Sequence, residues 1–133
     1  MIRPLSLTIA LCTLAGCAHT GNFSKASTTD SELMARDTAR AMKVTWPPGH
    51  TMLKADLKST DAFLGVLIAN LQASGYAIEP STSRAGSELR YVVDRVDDAY
   101  RVTVAVDDHS LSRLYQHRAN GQLSPASAWS RQE

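Results

Sequence analysis

Residues Glu88 to His117 read ELRYVVDRVDDAYRVTVAVDDHSLSRLYQH. Three runs within this stretch alternate. Leu89, Tyr91 and Val93 oppose Arg90, Val92 and Asp94; Tyr100, Val102, Val104 and Val106 oppose Arg101, Thr103 and Ala105; Leu111, Arg113 and Tyr115 oppose Ser112, Leu114 and Gln116. A period of two sends successive side chains to opposite faces of a sheet, so each run predicts a half-buried strand. Asp97-Asp98-Ala99 and Asp107-Asp108-His109 are hairpin turn signals between them. Asn120-Gly121 marks a third turn, with a short strand through Gln122 to Ser124 before Pro125. The stretch therefore predicts an antiparallel meander.

Upstream, the period changes to that of a helix. Phe63, Leu64, Leu67, Ile68 and Leu71 recur at helical spacing behind Ser59-Thr60-Asp61, which supplies a cap, and Gly75 closes the segment. This apolar stripe needs a sheet to cover. Thr51 to Lys58 alternates and predicts a strand before the helix; Tyr76 to Glu79 predicts one after it, stopped by Pro80. Thr29-Asp30-Ser31-Glu32 reads as a capping box for an earlier helix, from about Asp30 to Lys43, which Trp46-Pro47-Pro48-Gly49 ends. Its stripe of Met34, Thr38, Ala41 and Met42 is narrow, which suggests late docking or docking on a partner. The predicted fold is α+β: one or two helices packed on an antiparallel sheet of about five strands.

Length and composition agree with one such domain. The chain has 133 residues, 44% of them hydrophobic, with 14 basic and 13 acidic residues. A net charge of +1 supplies no basic stripe for nucleic acid, so no nucleic-acid partner is expected. The apolar fraction with balanced charge excludes disorder throughout.

The N-terminus carries a different message. Arg3 precedes ten apolar or small residues, Leu5 to Leu14. Ten helical residues span about 15 Å, half a bilayer core, so this is an export signal rather than a membrane span. The run ends in Leu14-Ala15-Gly16-Cys17, which resembles the lipobox of bacterial lipoproteins. That resemblance implies cleavage before Cys17 and a thioether link from its thiol to diacylglycerol, whose acyl chains, palmitate among them, enter the bilayer. Cys12, behind the bulky Leu11, is a poor competitor, and its loss with the signal removes any disulfide. The organisation expected is a signal peptide over 1–16, a lipidated flexible tether over 17–28, and a single small domain over 29–133. Cleavage removes Arg3 and no acidic residue, leaving 13 basic against 13 acidic. Each buried methylene contributes about 0.8 kcal/mol, so two or three acyl chains hold a protein to a bilayer durably. Ala18 stands where aspartate commonly retains lipoproteins at the inner membrane. The expected location is thus the outer membrane, with the domain facing the periplasm.

Catalytic patterns are weak. His19, His50, His109 and His117 are scattered, and none forms an i, i+4 ligand pair. Asp97-Asp98 and Asp107-Asp108 lie at opposite ends of one predicted strand, about 23 Å apart, too far to share an ion. Asp107-Asp108-His109-Ser110 holds the residue types of a hydrolytic triad, but adjacent in a turn rather than converging. Ser83 to Ser87 lacks the ending of a phosphate loop. Nothing in the spacing selects Glu79 and Glu88 for acid–base work. No catalytic residues, metal or cofactor are therefore expected. Trp46 and Trp129 are the candidate partner contacts, since exposed tryptophans often anchor interfaces.

Several stretches together resemble the TrbH family of conjugal transfer lipoproteins. They are the lipobox, Trp46-Pro47-Pro48, Asp61-Ala62-Phe63 leading to Leu67, Leu71 and Gly75-Tyr76-Ala77, then Tyr91-Val92-Val93-Asp94, Tyr100-Arg101-Val102-Thr103, Leu111 to Tyr115, and Gly121 to Trp129. The resemblance implies a non-catalytic subunit of the mating-pair-formation apparatus of a type IV secretion system. Its implied partners are outer-membrane core-complex proteins in an oligomeric assembly, and the lipid bilayer through the acyl chains. The β-α-β-β start, Thr51 to Val96, is similar to the short N-terminal domain of secretins and TonB-dependent receptors, although strands follow here where that fold has a second helix. Another class stays open: a lipid-tethered envelope binding protein or inhibitor acting on peptidoglycan or a wall hydrolase. It predicts a pocket lined by aromatic and polar groups.

Overall fold

A computed structural model describes residues 20–133. Two helices lie on one face of a mixed sheet. Helix α1 (Thr28–Thr45) starts at Ser27, whose side chain accepts the Asp30 N–H at 3.1 Å. The cap is therefore two residues earlier than the capping-box reading at Thr29. Helix α2 (Ala62–Ala73) is capped by Asp61, which accepts from the Leu64 N–H at 3.2 Å, and gives way at Ser74 to Gly75 at φ +97°. Carboxylate and hydroxyl acceptors at these positions satisfy N–H groups that have no partner within the helix.

The strands are β1 (Gly21–Asn22), β2 (Met52–Ala55), β3 (Ala77–Pro80), β4 (Ser87–Val96), β5 (Ala99–Val106), β6 (His109–His117), β7 (Leu123–Pro125) and β8 (Ser130–Gln132). The order is β3-β2-β4-β5-β6-β7. The meander β4-β5-β6-β7 is antiparallel, as its alternation predicts. The sheet as a whole is mixed, not antiparallel, because β2 runs parallel to both β3 and β4. The helix between β2 and β3 makes a parallel crossover, and such a unit delivers its second strand in the direction of the first. The strand count also exceeds the expected five. Two short strands fill vacant lengths of edge: β1 pairs β4 at Val92 and Val93, past the end of β2, and β8 pairs β6 at Ser110 to Ser112, past the end of β7.

One inward face holds the core. Leu89, Tyr91 and Val93 of β4, Val102, Val104 and Val106 of β5, and Leu111 and Tyr115 of β6 point to the helices. Phe63, Leu64, Leu67 and Leu71 of α2 cover them, and Phe63 stacks on Tyr91 with ring centroids 5.4 Å apart. Helix α1 is docked against α2 within the single chain, burying Met34, Ala35, Ala39 and Met42, so its stripe needs no partner to cover it. Its small residues allow close approach of the two helices, which a count of large apolar side chains undervalues. Thr38, fully buried in α1, donates its hydroxyl to the Met34 carbonyl at 2.7 Å and so leaves no unsatisfied group.

Residues 20–28 belong to the domain. β1 is hydrogen-bonded to β4, Phe23 N–H donates to the Val93 carbonyl at 2.6 Å, and Ser24 is fully buried. The reading of 17–28 as a flexible tether is thus corrected from Thr20 onward. Composition misled it: small polar residues make good linkers, but they also fit where backbone pairs with backbone. The lipobox residues Leu14, Ala15, Gly16 and Cys17 lie outside the described residues.

Candidate interaction site

The two candidate tryptophans occupy different environments. Trp46 follows α1 and turns inward; it is 9% exposed, and its carbonyl accepts the Tyr76 hydroxyl. Proline at 47 and 48 forces that exit from the helix, so Trp46 becomes core rather than surface. This leaves it almost no area to offer a partner, against the partner-contact expectation. Trp129 is half-buried and packs on the edge of the core, with the Arg113 guanidinium 5.5 Å from its ring centroid.

Beside Trp129 lies a shallow cavity of about 260 Å³. Ala41, Val44 and Thr45 of α1 line one side; Leu111 and Trp129 line the other. Thr45 is the one polar side chain among them. Val44 is 83% exposed, the most exposed large apolar side chain among the described residues. An apolar dimple rimmed by an aromatic ring and an exposed valine is a surface suited to one apolar side chain of another protein.

A polar cluster holds this surface in shape. Asp37 of α1 accepts from Arg113 Nη1 at 2.8 Å and from the Tyr115 hydroxyl at 2.5 Å. Arg40 adds a second cation at 3.5 Å. Arg113 also donates its Nε–H to the Ser127 carbonyl at 2.9 Å, and the Ser127 hydroxyl accepts the Leu114 N–H at 3.0 Å. One arginine thus ties α1, β6 and the C-terminal segment together and stacks under Trp129. Burial, with the hydrogen bond to Asp37, holds the Tyr115 hydroxyl well above the usual phenol range.

A second cluster sits at the other end of the sheet. The Asp61 carboxylate, already the cap of α2, accepts from Asn22 Nδ2 at 3.2 Å and from the Tyr91 hydroxyl at 3.0 Å. It joins β1, β4 and α2 at one point. Burial and the Asp61 charge likewise raise the Tyr91 hydroxyl.

The other residues weighed for chemistry are engaged in local structure. Asp107, at φ +53°, accepts the Ser87 hydroxyl with its carboxylate at 2.9 Å and the Arg90 guanidinium with its backbone carbonyl at 2.7 Å, which fixes the β5–β6 turn. β5 separates that turn from Asp97 and Asp98. Glu79 and Glu88 stand on strands either side of Lys54, in register with it. His117 shares a 2.7 Å contact with Asp30, and His50 is exposed. Among the described residues no three His, Cys, Asp or Glu side chains group as a metal would need.

The comparisons with known proteins decide the class. The family model described as conjugal transfer protein TrbH matches residues 17–133.

The chain belongs to the TrbH family.

That match covers the whole described domain and begins at Cys17. No curated protein and no solved structure matches the chain. The family is one of conjugal transfer proteins. No helix among the described residues is long and apolar enough to cross a membrane. Asp37, Arg113 and Val44 escaped the sequence reading as site residues. Arg113 left one signal: a charge at an inward position of the β6 alternation, between Leu111 and Tyr115.

Proposed function

We propose that this chain is an outer-membrane lipoprotein and a structural subunit of a conjugative type IV secretion complex. Cys17 carries the acyl chains, and the domain, on the periplasmic side, binds neighbouring core-complex proteins in an oligomeric assembly. The observation that carries the reading is the TrbH family match from Cys17 onward, joined to the lipobox Leu14-Ala15-Gly16-Cys17 at that boundary. The exposed apolar surface of the Trp129–Val44 dimple supports that reading. The order β2-α2-β3-β4 has the β-α-β-β start of the short N-terminal domain of secretins and TonB-dependent receptors.

The test is mating frequency from a donor carrying Cys17→Ser, with membrane fractionation of the same cells. The expected result is release from the membrane with a fall in transfer. Retention in the membrane fraction would overturn the lipoprotein reading. Release with unchanged transfer would show the anchor to be dispensable, and a clean deletion then decides whether the chain takes part in transfer at all.

A further inference from the structure

The described chain begins at Thr20, and β1 follows at once, locked to β4 by backbone pairing and to α2 through Asn22 and Asp61. Cys17 lies four residues before Gly21. Covalent geometry limits four residues to about 14 Å even when fully extended. A domain of this size has a radius of gyration of about 13 Å. The linker is therefore shorter than the domain is wide, and an anchored domain cannot stand off from its membrane by more than about 14 Å.

The surface beside this entry point suits a bilayer. Gly21 pairs with Val92, whose side chain is on the sheet face away from the helices. Phe23, two residues on, shares that side: its ring lies over Gly21, where an added Cβ would meet it at 3.1 Å. Phe23 is 57% exposed, and Lys25 beyond it is exposed too. An exposed aromatic side chain beside a lysine is what the headgroup layer accommodates, the ring at the acyl boundary and the ammonium group on phosphate.

Building on the lipid anchor at Cys17, we propose that the domain rests directly on the bilayer that holds it, with Phe23 at headgroup depth and Lys25 against lipid phosphates. Membrane contact then fixes which way the domain faces, and leaves the Trp129 dimple open to neighbours.

Site-directed spin labels test this in the lipidated full chain. The mature protein has no free thiol, because Cys12 leaves with the signal and Cys17 is acylated. Phe23→Cys and Gln72→Cys, the latter on the exposed side of α2, are labelled and reconstituted into phosphatidylethanolamine–phosphatidylglycerol vesicles. Lys25→Cys is a second probe, should Phe23→Cys disturb β1, with circular dichroism to check folding. The expected result is several-fold greater collision with oxygen than with a water-soluble nickel complex at 23, and the reverse at 72. Labels at 23 and 25 that stay fully water-accessible on vesicle-bound protein overturn the proposal while sparing the anchor. Labels at 23 shielded from both reagents in envelope preparations, but not in vesicles, show that a protein covers the site and equally overturn it. Failure of the acylated chain to remain on vesicles, or equal retention of Cys17→Ser, rejects the anchor itself.

Discussion

Asp37 joins α1 to β6. It serves Arg113 and Tyr115 at once, from a largely buried position where the tyrosine has left water and the arginine is mostly covered. Removing it strands a guanidinium beneath Trp129 and a phenol in the core. Asp37→Ala is expected to cost about 2–4 kcal/mol, since breaking such a pair exposes the cost of the charge left behind. Chemical denaturation measures it; a loss under half a kcal/mol would show that the cluster is dispensable. The two buried tyrosines make a second prediction. Their hydroxyls are raised above the unfolded value of about 10 by burial first and by Asp61 or Asp37 second. Above that pH the unfolded chain loses phenolic protons that the folded chain keeps, so stability is complete below pH 10 and falls as pH rises beyond it. Melting temperatures taken from pH 8 to 12 are expected to fall steeply past 10 in the wild type. Tyr91→Phe with Tyr115→Phe is expected to flatten that limb, and an unchanged slope would refute the assignment.

At the scale of elements, the crossover β2-α2-β3 joins the meander through a tight loop. Gly86 sits at φ +92°, and a Cβ there would lie 3.2 Å from the Met52 carbonyl oxygen. Both the conformation and the close backbone approach demand glycine. Gly86→Ala is expected to destabilise by about 2 kcal/mol, read as a lower denaturation midpoint at unchanged slope. A change in slope instead would mean that β2 had come off the sheet. The short strands β1 and β8 belong to this scale too. Each has two or three residues, too few for alternation to register, and each forms because a longer neighbour leaves part of its edge unpaired.

For the whole molecule, the proposed function gives the domain two separate attachments to the envelope: the anchored end beside β1 and the dimple between α1 and the C-terminal segment. Val44 is almost fully exposed, so changing it leaves the core intact. Val44→Asp is expected to lower mating frequency by at least about tenfold, the effect of losing roughly 1.4 kcal/mol at an interface, with the melting temperature within about a degree of wild type. Normal transfer from a stable Val44→Asp protein would remove the dimple from the assembly. Trp129→Ala tests the same surface less cleanly, because Trp129 also covers Arg113.

The sequence by itself determined the parts that rest on local rules. Alternation defined β4, β5 and β6, helical spacing with Asp61 and Gly75 defined α2, and Trp46-Pro47-Pro48 ended α1, because period, caps and ring constraints act within a few residues. The family was equally legible, since its signals are short motifs in a fixed order. Tertiary structure alone decided the rest. It made Trp46 core and kept Trp129 at the surface, two residues of one type whose fate depends on what lies opposite them. It placed Asp37 under Arg113, 76 residues away in the chain. It also turned the supposed tether into strand and buried serine. Such pairings depend on which edges and faces remain unfilled once the large elements have packed, and no stretch of sequence records what will be left beside it.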